Sequence, residues 1–179
     1  MMLSSRLRKL ALTVHITASV GWLGAVAAFL ALALMGLTSP DIQLMRSAYL
    51  VMSLLAWYVI LPLCLASLAT GILQSLGTVW GLFRHYWVLL KLIVNALSTV
   101  ILLIHLQPIK YLSSVATGIT PSGGEYWPVR VQMVIASSAA LLALVVATTL
   151  SVYKPQGLTP YGWRKQHERR AYRQARSGG

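Results

Sequence analysis

The chain has 179 residues, 57% of them hydrophobic and only 10% charged, with a net charge of +12 from 15 basic residues against three acidic ones. That balance excludes an ordinary soluble domain, whose helices need a polar face, and leaves no length for a separate soluble catalytic domain. A single cysteine, Cys64, excludes an internal disulfide and a cysteine-based metal cluster, and reads as a small buried hydrophobe.

Four stretches carry no Asp, Glu, Lys or Arg: Leu10 to Leu37, Ser47 to Phe83, Leu92 to Ile109 and Val131 to Tyr153. A bilayer crossing needs about 20 apolar residues, so the sequence predicts an all-α polytopic membrane protein, a bundle of four transmembrane helices. Span 1 is predicted over 10–37. Arg6, Arg8 and Lys9 before it resemble the start of a signal peptide, and Ala31 and Ala33 resemble a cleavage signal. The uncharged stretch is much longer than the usual apolar core of about 7–15 residues, so it is read as a retained span. A short loop through Thr38, Ser39, Pro40 and Asp41 supplies turn and N-cap chemistry.

Span 2 is predicted over 47–77, with a kink at Pro62 and an exit near Gly77 and Gly81; Trp80 and Phe83 then lie in the interface. Span 3 is predicted over 85–108, ending at Pro108 and followed by a Gly-, Ser- and Thr-rich loop from Ser113 to Gly124. Span 4 is predicted over 127–153, stopped by Pro155 and Gly157. Residues 1–153 thus form one transmembrane domain, and residues 154–179 a basic tail.

Basic residues fix the expected orientation. Arg6, Arg8, Lys9, Arg84, Lys91 and the tail residues Lys154, Arg164, Lys165, Arg169, Arg170, Arg173 and Arg176 fall on one side, against Arg46, Lys110 and Arg130 on the other. Both termini are therefore expected in the cytoplasm. The same rule accounts for the net charge without nucleic acid, for which no motif is present. The tail reads either as a topology anchor or as a basic surface helix on anionic lipid, with Trp163 and Tyr172.

Polar residues inside the spans are the candidates for chemistry, because they face the bundle or a cavity. In span 3, His85, Val88, Lys91, Asn95, Ser98, Leu102 and His105 recur at spacings of three and four and share one face. In span 1, Ala11, His15, Ala18, Gly21, Ala25 and Ala28 do the same, with Trp22 beside Gly21. Span 2 contributes Ser67, Thr70, Gly71 and Gln74; span 4 contributes Ser137, Thr148 and Ser151. His15 lies six residues past Lys9 and His85 opens span 3, so the two are at similar depth. His105 lies about 30 Å further along the helix from His85. His15 and His85 are thus the one intramolecular ligand pair the spacing allows.

Buried imidazoles in a four-helix membrane bundle suit the axial positions of a b-type haem. Lys91 and Arg84, with no carboxylate in any span, suit its propionates; snorkelling accounts for Lys91 equally. Asn95 and Ser98 read as an interhelical hydrogen-bond seam, and a structural hydrogen-bonded role is the alternative for His15 and His105. Met45, Met52 and Met133 are too scattered to make a copper site.

The run His15-Ile16-Thr17-Ala18-Ser19-Val20-Gly21-Trp22-Leu23-Gly24 resembles the first span of small bacterial membrane proteins related to the copper-resistance D type, which pair an early His with Trp-x-Gly. That resemblance implies copper movement or a b-type cytochrome-like core, and it covers the first span. The runs from Gly81 to Lys91, Leu103 to Pro108 and Ser151 to Thr159 resemble an uncharacterised four-span family of bacterial inner membranes, a likeness that takes in most of the chain and implies location and fold.

The sequence therefore leads to a small haem b protein of the bacterial inner membrane that exchanges electrons, with quinone as a partner. His15 and His85 are the expected iron ligands, Arg84 and Lys91 the propionate partners, and His105 a second ligand position or proton-handling group. The alternatives are a membrane assembly subunit, docking through small-residue faces against a second copy or another subunit, and a transport protein lined by Lys91, Asn95, Ser98 and His105.

Overall fold

The computed structural model describes residues 4–77, 86–118 and 127–153, together with 160, 163, 164, 167 and 174. It is a four-span helical bundle. Helix α1 (Ser5–Thr38) starts at Ser4, whose side chain accepts the Leu7 amide. Helix α2 (Ile42–Leu55) starts at Asp41, whose Oδ1 accepts the amides of Gln43 and Leu44. A π-helical turn (Ala56–Ile60) joins α2 to α3 (Leu61–Gly77), so the three pieces form one continuous span. Helices α4 (Tyr86–Gly118) and α5 (Trp127–Tyr153) complete the bundle. Four helices are long and apolar enough to cross a membrane.

Two expected boundaries move, and Pro62 lies beside a widened turn within the second span. The second span begins at Ile42 rather than Ser47, because the Asp41 cap nucleates the helix a turn earlier and carries Arg46 inside it. Pro62 lies in the first turn of α3, just after the π turn, where the Leu61 amide reaches back five residues to the Ala56 carbonyl. A proline ring collides with the carbonyl four residues before it, and the widened turn relieves that collision at Tyr58. The third span does not stop at Pro108: α4 runs on to Gly118, with the proline inside it. Apolar surroundings favour keeping every other helical hydrogen bond, which outweighs the single amide the proline lacks. The first part of the loop expected from Ser113 is thus helical.

The spans form a square in which each touches its neighbours in sequence, α1 also packs against α5, and the backbones of diagonal spans do not approach one another among the described residues. The packing is up-and-down. Gln74 near the end of α3 meets Ala11 near the start of α1, and Lys91 near the start of α4 meets Ser151 near the end of α5. Those contacts mark the end of the bundle that carries the start of α1 and the end of α5. At the far end, Tyr49 of α2 meets Gly36 of α1.

Lipid tails are as apolar as these side chains, so tight packing and interhelical hydrogen bonds hold the spans together. The core runs through Trp22, Phe29, Met52, Ile60, Leu106 and Met133. On α1 the buried stripe includes Ala18, Trp22, Ala25 and Phe29, whereas Ala28, expected on that face, is exposed. The stripe drifts because 3.6 residues per turn does not match strict steps of three and four. Gly36 is required by close approach: a Cβ there would lie 2.8 Å from the Tyr49 ring.

Candidate functional site

A cluster of polar interhelical contacts lies in the half of the bundle toward the start of α1. Three polar contacts join α1 to α3. Gln74 donates from Nε2 to the Ala11 carbonyl at 3.0 Å, the Ser19 and Ser67 hydroxyls lie 2.8 Å apart, and His15 sits between these contacts. The helical period puts Ala11, His15 and Ser19 one above another, and likewise Ser67, Thr70 (with Gly71) and Gln74 on the facing helix.

The tautomer of His15 follows from its partners. Its Nδ1 is 3.1 Å from the Ser67 carbonyl oxygen and 3.1 Å from Thr70 Oγ1. A carbonyl only accepts, and the Thr70 hydroxyl already donates to the Ala66 carbonyl at 2.6 Å. Nδ1 therefore carries the hydrogen and shares it between two acceptors. Nε2 keeps its lone pair, and no hydrogen bond to Nε2 is present among the described residues. Gly71 leaves room for the ring: a Cβ at that position would approach His15 Cε1 to 3.3 Å. An imidazole held through one nitrogen by a carbonyl, with the other unencumbered, is prepared to donate to a metal ion.

Lys91 stands on the diagonal helix, near the start of α4. Its ammonium donates to Ser151 Oγ at 3.1 Å, so it is engaged by span 4. Arg84 and His85 lie outside the described residues; in sequence His85 immediately precedes α4. Along α4, Lys91, Asn95, Ser98, Leu102 and His105 are all half-buried, in keeping with one shared face. That face flanks a more deeply buried stripe containing Thr99, Leu106 and Ile109.

Thr99 is a contact that sequence spacing did not single out. Its hydroxyl donates to the Asn95 carbonyl at 2.8 Å, which leaves the Cys64 thiol to donate to Thr99 Oγ1 at 3.1 Å. Cys64 is fully buried, so it is a packed thiol rather than a reactive one.

His105 is separated from His15 by most of the membrane. Its Nδ1 donates to the Ile101 carbonyl at 2.8 Å, and its Nε2 faces the Gln132 amide nitrogen at 3.5 Å. It lines a groove of about 530 Å³ with Trp127, Pro128, Val131, Gln132, Ile135 and Ala136. The structure thus brings His15 together with Ser67, Thr70 and Gly71, and leaves His105 in separate surroundings. Among the described residues no three His, Cys, Asp or Glu side chains gather as a multi-ligand metal centre.

Comparison with protein-family models, with curated proteins and with solved structures finds no match to this chain.

Proposed function

We propose that this is a small haem b-binding electron-transfer protein of the bacterial inner membrane, with both termini in the cytoplasm and His15 as one axial ligand through Nε2. One observation carries the reading: Ser67 and Thr70 fix the His15 proton on Nδ1 and leave Nε2 as an open donor within the membrane. Bound there, a haem supplies reversible one-electron iron chemistry. The protein's own part is to hold the imidazole plane between α1 and α3, to keep the Nε2 lone pair available, and to offer the Lys91 charge to an anionic edge of the ligand. His85, one residue before α4, is the proposed second ligand, with Arg84 as a further propionate partner. The proposed redox partner is a quinone of the bilayer, because the described chain lies almost wholly in membrane-spanning helices.

The test is an optical spectrum of the detergent-purified protein, expressed with haem supplied, before and after dithionite. The reading expects a Soret band with sharpened alpha and beta bands on reduction, and loss of that spectrum in His15→Ala. A colourless protein despite ample haem overturns it.

A second reading, a membrane assembly subunit, rests on one feature of α4. In its most apolar stretch only 6% of residues are buried, against 33% in α1. Leu90, Ile93, Leu97, Val100 and Ile104 of that helix are exposed and apolar, a face that suits lipid and another membrane helix equally. A colourless preparation that elutes as a defined oligomer, or with a stoichiometric membrane partner, supports this reading instead.

A further inference from the structure

The far end of the bundle holds two arginines whose charges the haem reading does not use. Arg46 sits in the second turn of α2 and Arg130 in the first turn of α5. In both, Nε is buried and has no hydrogen-bond partner among the described residues. The backbones of α2 and α5 are diagonal and do not touch, yet the Arg130 guanidinium lies 5.7 Å from the centre of the Tyr49 ring on α2. Arg130 therefore reaches across the interior of the bundle. Arg46 and Tyr49 are three residues apart on one helix, which puts them on neighbouring positions of the same face. The Arg130 guanidinium thus lies over Tyr49, whose hydroxyl donates to the Gly36 carbonyl at 2.8 Å, and Arg46 stands one turn before Tyr49 on α2.

Asp41 is the only acid among the described residues; it caps α2, and its single charge does not balance two guanidiniums. The field of the helices makes matters worse. Both α2 and α5 begin at this end: Asp41 offsets the positive pole of α2, whereas α5, with no acid in its first turn, adds its pole to the Arg130 guanidinium. Charge of one sign in apolar surroundings calls for a counter-ion. Arginine forks match the oxygens of a phosphate bidentately. Depth agrees: Arg46 and Arg130 lie about 4–6 Å inside their helix ends, near the level of the headgroups.

We infer that Arg130, over the Tyr49 ring, and Arg46, one turn before Tyr49 on α2, form a binding site for a phosphate group at the end of the bundle opposite His15. The phosphate is that of a lipid headgroup inserted from the bilayer surface or of a free phosphate in the adjoining water. The site is independent of haem.

The experiment uses the full chain, delipidated in an uncharged detergent. Native mass spectrometry and thermal unfolding are measured with phosphatidylglycerol, with diacylglycerol as the phosphate-free lipid, and with inorganic phosphate alone. Phosphatidylglycerol retained as one tightly held molecule, with diacylglycerol failing to replace it, supports the site and assigns a lipid source. A rise in unfolding temperature with millimolar inorganic phosphate alone supports the site and assigns a free phosphate. Arg130→Gln is expected to weaken the bound species at least tenfold, and Arg130→Lys, which keeps the charge and loses the fork, to weaken it less. Equal response of the wild-type protein to phosphatidylglycerol and diacylglycerol, with none to inorganic phosphate, overturns the inference without any variant. Binding unchanged in Arg130→Gln overturns it too.

Discussion

His15 of the first span and Ser67 of the second are joined at 3.1 Å, ring Nδ1 to main-chain carbonyl, with the Thr70 hydroxyl as a second acceptor at the same distance. The bond fixes both the position of the ring and the nitrogen that carries its proton. Everything proposed for this polar cluster depends on that orientation.

Thr70→Val removes one of the two acceptors and keeps the shape of the side chain. Interhelical hydrogen bonds in membrane proteins are worth about 0.6 kcal/mol on average, so a small loss of unfolding stability is expected. The Ser67 carbonyl still holds the ring, so haem content should persist with a shifted reduction potential, measured by spectroscopic titration. Complete loss of haem in a folded Thr70→Val protein would mean that the carbonyl alone does not position His15.

Gly71→Val presses a branched side chain against the imidazole, since even a Cβ there comes within 3.3 Å of His15 Cε1. Haem stoichiometry by pyridine haemochrome should fall severalfold, while Gly24→Ala, where a Cβ meets nothing within 4 Å, should leave it unchanged. Equal haem content in the two variants would detach Gly71 from the site.

At the far end, Gly36→Ala forces a Cβ to 2.8 Å from the Tyr49 ring. Overpacking of this kind costs about 1–3 kcal/mol. Pairing it with Tyr49→Leu should recover much of that loss, because the smaller side chain vacates the space. A double variant with simply additive losses in a thermal-unfolding cycle would show that the two residues are not coupled.

Orientation has a direct readout because Cys64 is fully buried and gives no background labelling. Ser39→Cys, between α1 and α2, is expected to react with a membrane-impermeant maleimide in intact cells. Ser4→Cys is expected to react only after the cells are opened. The reverse pattern would invert the proposed topology.

The spans were legible because charge is so costly within a bilayer that charge-free runs trace them. The fourth span, 127–153, coincides with α5. Boundaries set by local chemistry were harder to read. Asp41 starts a helix five residues before the last charge before that run, Arg46, has been passed, and Pro108 fails to end one because the bilayer favours continuing the helix. Ser67, Thr70, Gly71 and Gln74 were visible as polar and small positions of span 2, and His15 as the odd residue of a small-residue face. Their meeting depends on the rotation of one helix against another, which a single sequence does not encode at the level of one side chain. Sequence patterning does not single out Tyr49, and Arg46 and Arg130 enter only as topology charges. The meeting of Arg130 and Tyr49 depends on a side chain that crosses the bundle diagonal.

The most direct test of the central claim is ligand rescue. His15→Gly removes the imidazole and leaves a space in the seam beside Ser67 and Thr70. If His15 Nε2 is an axial ligand, this variant loses the low-spin haem spectrum of the wild-type protein, and added imidazole restores it. A wild-type protein that takes up no haem, or a His15→Gly protein whose spectrum matches wild type without imidazole, would contradict the assignment.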